Sequence, residues 1–267
     1  MQQIQVNAHN PTLEEVLRGL QWGSYTGTKA VQSTNQKGVS DMEKRLFHSF
    51  QKVVVQHPIP ILSNPPSLAE QSWMNSRDPQ GLAMLRSDWA SASGNYVYLC
   101  ESTLQGRLYP HLETLRKQMP PPTSPTWPHH ISGAAPGRVA LVTSLTHYAT
   151  HQKQVQHDVT MLVQVTQDQP SSPPLSWEYP FLTIEIKTER ALLNKTPRME
   201  QIVSSQGGRL ASGSNADKLP KADRMLLQVW VQLTTSASPA GLLMGSNTVY
   251  YVEAQAGILY MDGPYYR

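Results

Sequence analysis

The sequence predicts an α/β (α+β) domain in which helices flank a mixed central β-sheet, and three observations carry that expectation. Helix-start signals punctuate the first part of the chain. Runs of β-branched residues begin at residue 138. One strongly amphipathic helical stretch then separates two groups of strands. At 267 residues the chain is long enough for one large core, or for a core with an added extension.

Residues 1–120 read as helical and irregular. Thr12–Glu15, Ser40–Glu43 and Ser67–Glu70 each have the spacing of a capping box, in which the hydroxyl and the glutamate satisfy one another's backbone amides. That gives these three glutamates a structural task. Further on, Leu104, Leu108, Leu112, Leu115 and Met119 recur at helical spacing, with Pro110 kinking or restarting the helix. The proline-rich PPPTSPTWPHH ends it.

From residue 138 the pattern changes to strands. GRVALVTSL, VQHDVTMLVQV and YPFLTIEIKTE are rich in β-branched residues. The prolines in QPSSPPLSWEYP disfavour a crossover helix, so the second and third strands are expected to be antiparallel and joined by a long loop of about 14 residues. PRMEQIVSSQ suggests a short helix and KADRMLLQVWVQLTT a longer amphipathic one. AGLLMGSNTVYYVEAQAGILYMDG then reads as strand, tight turn at Ser246–Asn247, strand, turn near Gly257, strand.

Composition narrows the function classes. Hydrophobic residues make up 39% of the chain, and no apolar run reaches the roughly 18–20 residues of a membrane span. The N-terminus lacks the pattern of a secretion signal. Cys100 is the single cysteine, which leaves no disulfide framework and no cysteine zinc site. An intracellular protein, nuclear or cytoplasmic, with no membrane attachment is expected. The net charge of +3 does not announce a nucleic-acid binder. Local basic groups do occur at Lys187, Arg190, Lys195 and Arg198, and again at Arg209, Lys218, Lys221 and Arg224.

Charged residues inside the apolar runs need a reason. Glu185 and Lys187 share one face of their strand, Ile184 and Ile186 the other, and Asp158 begins the neighbouring strand. One reading is a same-face charge pair on a solvated strand. The other is a site in which two carboxylates and an ammonium converge, and the flanking FLTI favours this buried alternative. Such a group suits metal-assisted phosphodiester hydrolysis, with hard oxygen ligands for Mg²⁺ (or Mn²⁺) and a lysine near the transferring phosphate. His147, His151 and His157 raise a zinc alternative, but their segment lies between strands and no cysteine assists.

With HD at 157–158 and IEIK at 184–187, the chain resembles the PD-(D/E)xK nuclease superfamily. Arg224, Gln228 and GLLMGSNTVYYV look like the helix and hairpin of nuclease-like modules of fungal type, and RLYPHLETL looks like the helix before their first strand. The resemblance covers roughly residues 100–255. It implies an αβββαβ restriction-endonuclease-like core at 96–267, with residues 1–95 as a helical, irregular N-terminal extension packed on or linked to it.

The same resemblance implies a Mg-dependent endo- or exonuclease acting on nucleic acid, with DNA as the expected substrate. Asp158 and Glu185 become metal ligands, Lys187 the catalytic lysine and Gln228 a supporting polar residue. Glu101 is an added metal ligand, because it falls on the Leu104/Leu108/Leu112 stripe. His157 stands where the family usually has proline. The alternative from a different class is a catalytically inactive nuclease-fold module that serves in nucleic-acid or protein interaction. A homodimer, or a protein partner held by the first hundred residues, stays open.

Overall fold

The computed structural model describes residues 12, 15–16, 38–63, 75, 82–87, 104–106, 108–110, 112–113, 138–145, 158–169, 172–211 and 215–266. Its centre is a seven-stranded mixed sheet in the order β1-β7-β6-β5-β4-β3-β2. The strands are β1 (Lys52–Val55), β2 (Arg138–Leu145), β3 (Val159–Gln169), β4 (Ser172–Ile186), β5 (Ala240–Met244), β6 (Thr248–Gln255) and β7 (Ile258–Tyr266). β2, β3 and β4 form an antiparallel meander; β5 lies parallel to β4, and β1 parallel to β7. Among the described residues the helices are α1 (Asp41–Leu46), α2 (Glu189–Leu193), α3 (Thr196–Ser205) and α4 (Lys221–Ser236), together with short helical pieces at 82–87, 104–106, 108–110 and 112–113.

The parallel β4–β5 pair forces the chain to cross back, and α2, α3 and α4 provide the crossover. α2 begins where Thr188 Oγ1 accepts the Ala191 N–H at 3.2 Å. α4 buries Met225, Leu226, Val229, Trp230 and Leu233 against Leu243, Val252 and Leu259. Each such side chain contributes about 2 kcal/mol on leaving water. The helix ends at Ala237, whose left-handed φ of 53° forms the C-cap. The sheet's other face carries Val159, Met161, Ile184, Ile186 and Met244, on which Leu104, Leu108 and Leu112 pack.

Capping pairs are present at Thr12–Glu15 and Ser40–Glu43; Ser67–Glu70 lies outside the described residues. The hairpins at 244–248 and 255–258 turn where the sequence marks them, the first closed by Gly245 N–H to Thr248 O at 2.8 Å.

Two features differ from the sequence reading. The expected long loop between the second and third strands is instead strand, since β3 runs to Gln169 and β4 starts at Ser172. Prolines are tolerated there because Pro173 and Pro174 fall in one register shift and Pro180 borders another. In addition, β5 pairs only with Leu182–Ile186, so the proline-bearing half of β4 has no β5 partner for its backbone amides to lose.

The second difference is β1, a strand within a stretch read as helical and irregular. It docks through Val53 N–H to Gly208 O at 2.8 Å and buries Val53 in the α4-side core.

Candidate functional site

β4 alternates its side chains, so Ile184 and Ile186 face the Leu104 stripe while Glu185 faces α4. Val159 pairs with Ile184, and one step further along the same register sets Asp158 opposite Glu185. Asp158 also closes the ladder, its Oδ2 accepting the Ile186 N–H at 2.7 Å. Gln105 donates its side-chain N–H to the Asp158 carbonyl. On β4's other side, Lys187 N–H donates to Met244 O at 2.8 Å. The site therefore stands where three interior strands end or begin, held by backbone on both sides.

Glu185 is 5% exposed, which removes the solvated-strand reading of the Glu185/Lys187 pair. The Lys187 side chain is 14% exposed, and its ammonium bonds Glu185 Oε1. Gln228 Nε2 donates to the same oxygen at 2.8 Å, and Gln232 Nε2 donates to Oε2 at 2.6 Å. The two glutamines are one helical turn apart on α4 and grip the carboxylate from one side. Burying a carboxylate is tolerable only with such partners, and here an ammonium and two amides supply them.

Glu185, Lys187 and Gln228, all anticipated from the sequence, are thus joined by hydrogen bonds, and Asp158 stands opposite Glu185 in the strand register with its carboxylate on the Ile186 amide. Gln232 was missed: it reads as part of a polar helix face, although its position four residues after Gln228 was the available signal. Glu101 lies outside the described residues, as do His147, His151 and His157. The described part of the stripe that suggested Glu101 packs on the face opposite the one Glu185 points to.

Asp158 stands opposite Glu185 in the strand register, with its Oδ2 on the Ile186 amide, and Glu185 holds the half-buried Lys187 ammonium. Among the described residues no group of three or more His, Cys, Asp or Glu is gathered to hold a metal ion. Two carboxylates suffice for a hard cation that keeps several waters, as Mg²⁺ does, but a cation on Glu185 would have to displace a donor, since both its oxygens already accept one. No known protein family, curated protein or solved structure matches the chain. None of the described helices is long and apolar enough to cross a membrane.

Two other buried charged groups are structural. Asp223 is fully buried and accepts Arg198 Nε at 3.0 Å, Arg198 Nη2 at 3.1 Å and Ala211 N–H at 2.7 Å, which ties α3 and the 206–211 loop to α4. The hydrogen bond to Asp223 raises the Arg198 pKa further above its ordinary value. Glu189 receives the Asn247 N–H at 2.8 Å and the Thr248 hydroxyl, which fixes the β5–β6 turn.

On the sheet's other face Asp262 Oδ1 bonds His57 Nδ1 at 2.6 Å and Tyr265 Oη at 2.7 Å. That second bond, ahead of burial, lifts the Tyr265 phenol to about 12. A cleft of about 770 Å³ lined by Leu46, Gln51, Trp230, Leu233 and Ser238 includes none of the Asp158/Glu185/Lys187 group.

Proposed function

We propose that the protein is a metal-dependent nuclease of PD-(D/E)xK type that hydrolyses phosphodiester bonds, with DNA as the expected substrate. The observation that carries this reading is the buried Glu185 carboxylate bonded to Lys187 and Gln228, with Asp158 opposite it on the neighbouring strand. The strand order supports it too, since an antiparallel β2–β3–β4 meander, a helical crossover and a parallel β5 are what a restriction-endonuclease-like core requires.

In this reading Asp158 and Glu185 hold Mg²⁺ or Mn²⁺, whose chemistry when bound is a more acidic water and a stabilised leaving oxygen. Lys187 offsets charge on the transferring phosphate or orients the water. Gln228 and Gln232 keep the Glu185 carboxylate turned toward the site.

Two measurements test the reading. Linear, circular and single-stranded DNA, and RNA, are incubated with Mg²⁺ or Mn²⁺ and either wild type or Lys187→Ala. Metal-dependent cutting by wild type, lost in the variant, supports the assignment; equal cutting by both sinks it. Calorimetric Mn²⁺ binding provides a second readout, and Asp158→Asn and Glu185→Gln should each abolish it.

One observation favours a second reading. Both Glu185 oxygens already accept donors, so the carboxylate is satisfied within the protein. A catalytically inactive module for nucleic-acid or protein interaction would keep the cluster for stability alone, and would bind no Mn²⁺.

A further inference from the structure

Among the described residues, the cation next to the site on α4 has no partner. Gln228 meets the Glu185 oxygen that Lys187 also holds, and Gln232 meets the other one. The helix therefore runs from the Lys187 side of the carboxylate toward the interior, and one turn back from Gln228 stands Arg224, at the mouth of the site. Its Cα is about 6 Å further along the helix axis, within reach of a long side chain.

Arg224 is half-buried, and among the described residues its guanidinium has no hydrogen bond or ion pair. The acid beside it in sequence and the acid one turn along are committed elsewhere. Asp223 is held by Arg198 and the Ala211 amide, and Glu185 by Lys187 and the two glutamines. A half-buried guanidinium with no neutralising partner among the described residues, one turn from a carboxylate–lysine cluster, is suited to an anion from outside the chain.

We infer that Arg224 binds a backbone phosphate of a nucleic-acid strand entering the Asp158–Glu185–Lys187 site. The inference rests on the nuclease-site reading for its location, and it fixes where the strand lies: across the N-terminal turn of α4, with Arg224 outermost and Gln228 beneath. The guanidinium's forked donors match two phosphate oxygens, which a lysine cannot reproduce.

The test is fluorescence anisotropy of a fluorescein-labelled single-stranded oligonucleotide with wild type, Arg224→Ala and Arg224→Lys, in EDTA across a salt series. EDTA prevents metal-dependent cleavage, and a parallel series in Ca²⁺ supplies a divalent cation should binding need one. Arg224→Ala should bind about tenfold more weakly. The slope of log K against log salt should shrink by about 0.7, the share of one released counterion. Arg224→Lys should recover the slope but only part of the affinity.

Unchanged affinity and slope in Arg224→Ala would overturn the inference, as would the absence of oligonucleotide binding by wild type. The nuclease reading fails separately, in the Lys187→Ala cleavage comparison. An oligonucleotide-binding protein that loses affinity in Arg224→Ala but never cuts would keep the phosphate contact and discard the nuclease.

Discussion

Gln232 donates its amide N–H to Glu185 Oε2 across 2.6 Å, with both residues almost completely shut off from solvent. The bond holds a charged oxygen that water cannot reach. Gln228 serves the other oxygen from a half-buried position and shares it with Lys187.

The two glutamines should therefore differ in their effect on stability. Gln232→Leu strips the donor from a buried carboxylate oxygen and should destabilise the protein by about 2 kcal/mol. Gln228→Leu should cost about half as much, because Lys187 stays on Oε1 and solvent is closer. Urea unfolding of the two variants gives the order directly. Equal losses, or a larger loss at Gln228, would mean that Glu185 is held mainly from the Lys187 side.

A glycine fixes the attachment of β1. Gly208 has φ +80°, and a Cβ there would stand 2.0 Å from Val53 O. Gly208→Ala combines a left-handed backbone with a backbone clash and should cost about 3 kcal/mol. Hydrogen exchange should quicken first at Val53, whose amide donates to Gly208 O. Exchange at Val53 as slow as in wild type would show that β1 is held by β7 alone.

The Asp262–Tyr265 bond gives stability a dependence on alkaline pH. In the folded protein the Tyr265 phenol is raised from 10.0 to about 12. Between those values the folded state keeps a proton that the unfolded state has released, so stability falls as pH rises. The contribution is complete below about pH 10 and is lost as pH rises through about 12. Ultraviolet titration should find one tyrosine ionising late, and Tyr265→Phe should remove it from the curve. A phenol at that position titrating near 10 would rule out the Asp262 bond in solution.

How much of this could be read beforehand differs from element to element. β2, the strand pair around Asp158 and Glu185, and α4 announce themselves by β-branched runs and helical periodicity. β1 does not: four residues with one buried side chain make no period, and its partner strand lies at the far end of the described chain. The proline-bearing part of β4 misleads because strand membership there depends on where bulges fall, which pairing decides and sequence does not. In the candidate site, charges inside apolar runs flag Glu185 and Lys187. Gln232 is silent, since a lone amide on a helix acquires meaning only once Glu185 is known to lie beneath it. Asp262 and Glu253, buried on the other face, escape notice because a C-terminal hairpin is expected to carry polar residues outward.

The parallel pairing of β1 with β7 also sets an order of events. Val53 lies opposite Leu259, so a chain made from its N-terminus exposes β1 long before its partner exists. Contacts of such large sequence separation form late and slow the search for the native state. The β2–β3–β4 meander, whose strands are neighbours in sequence, can assemble locally first. Until β7 arrives, Val53 and the exposed Val55 remain an apolar strand seeking an edge, open to mispairing during synthesis.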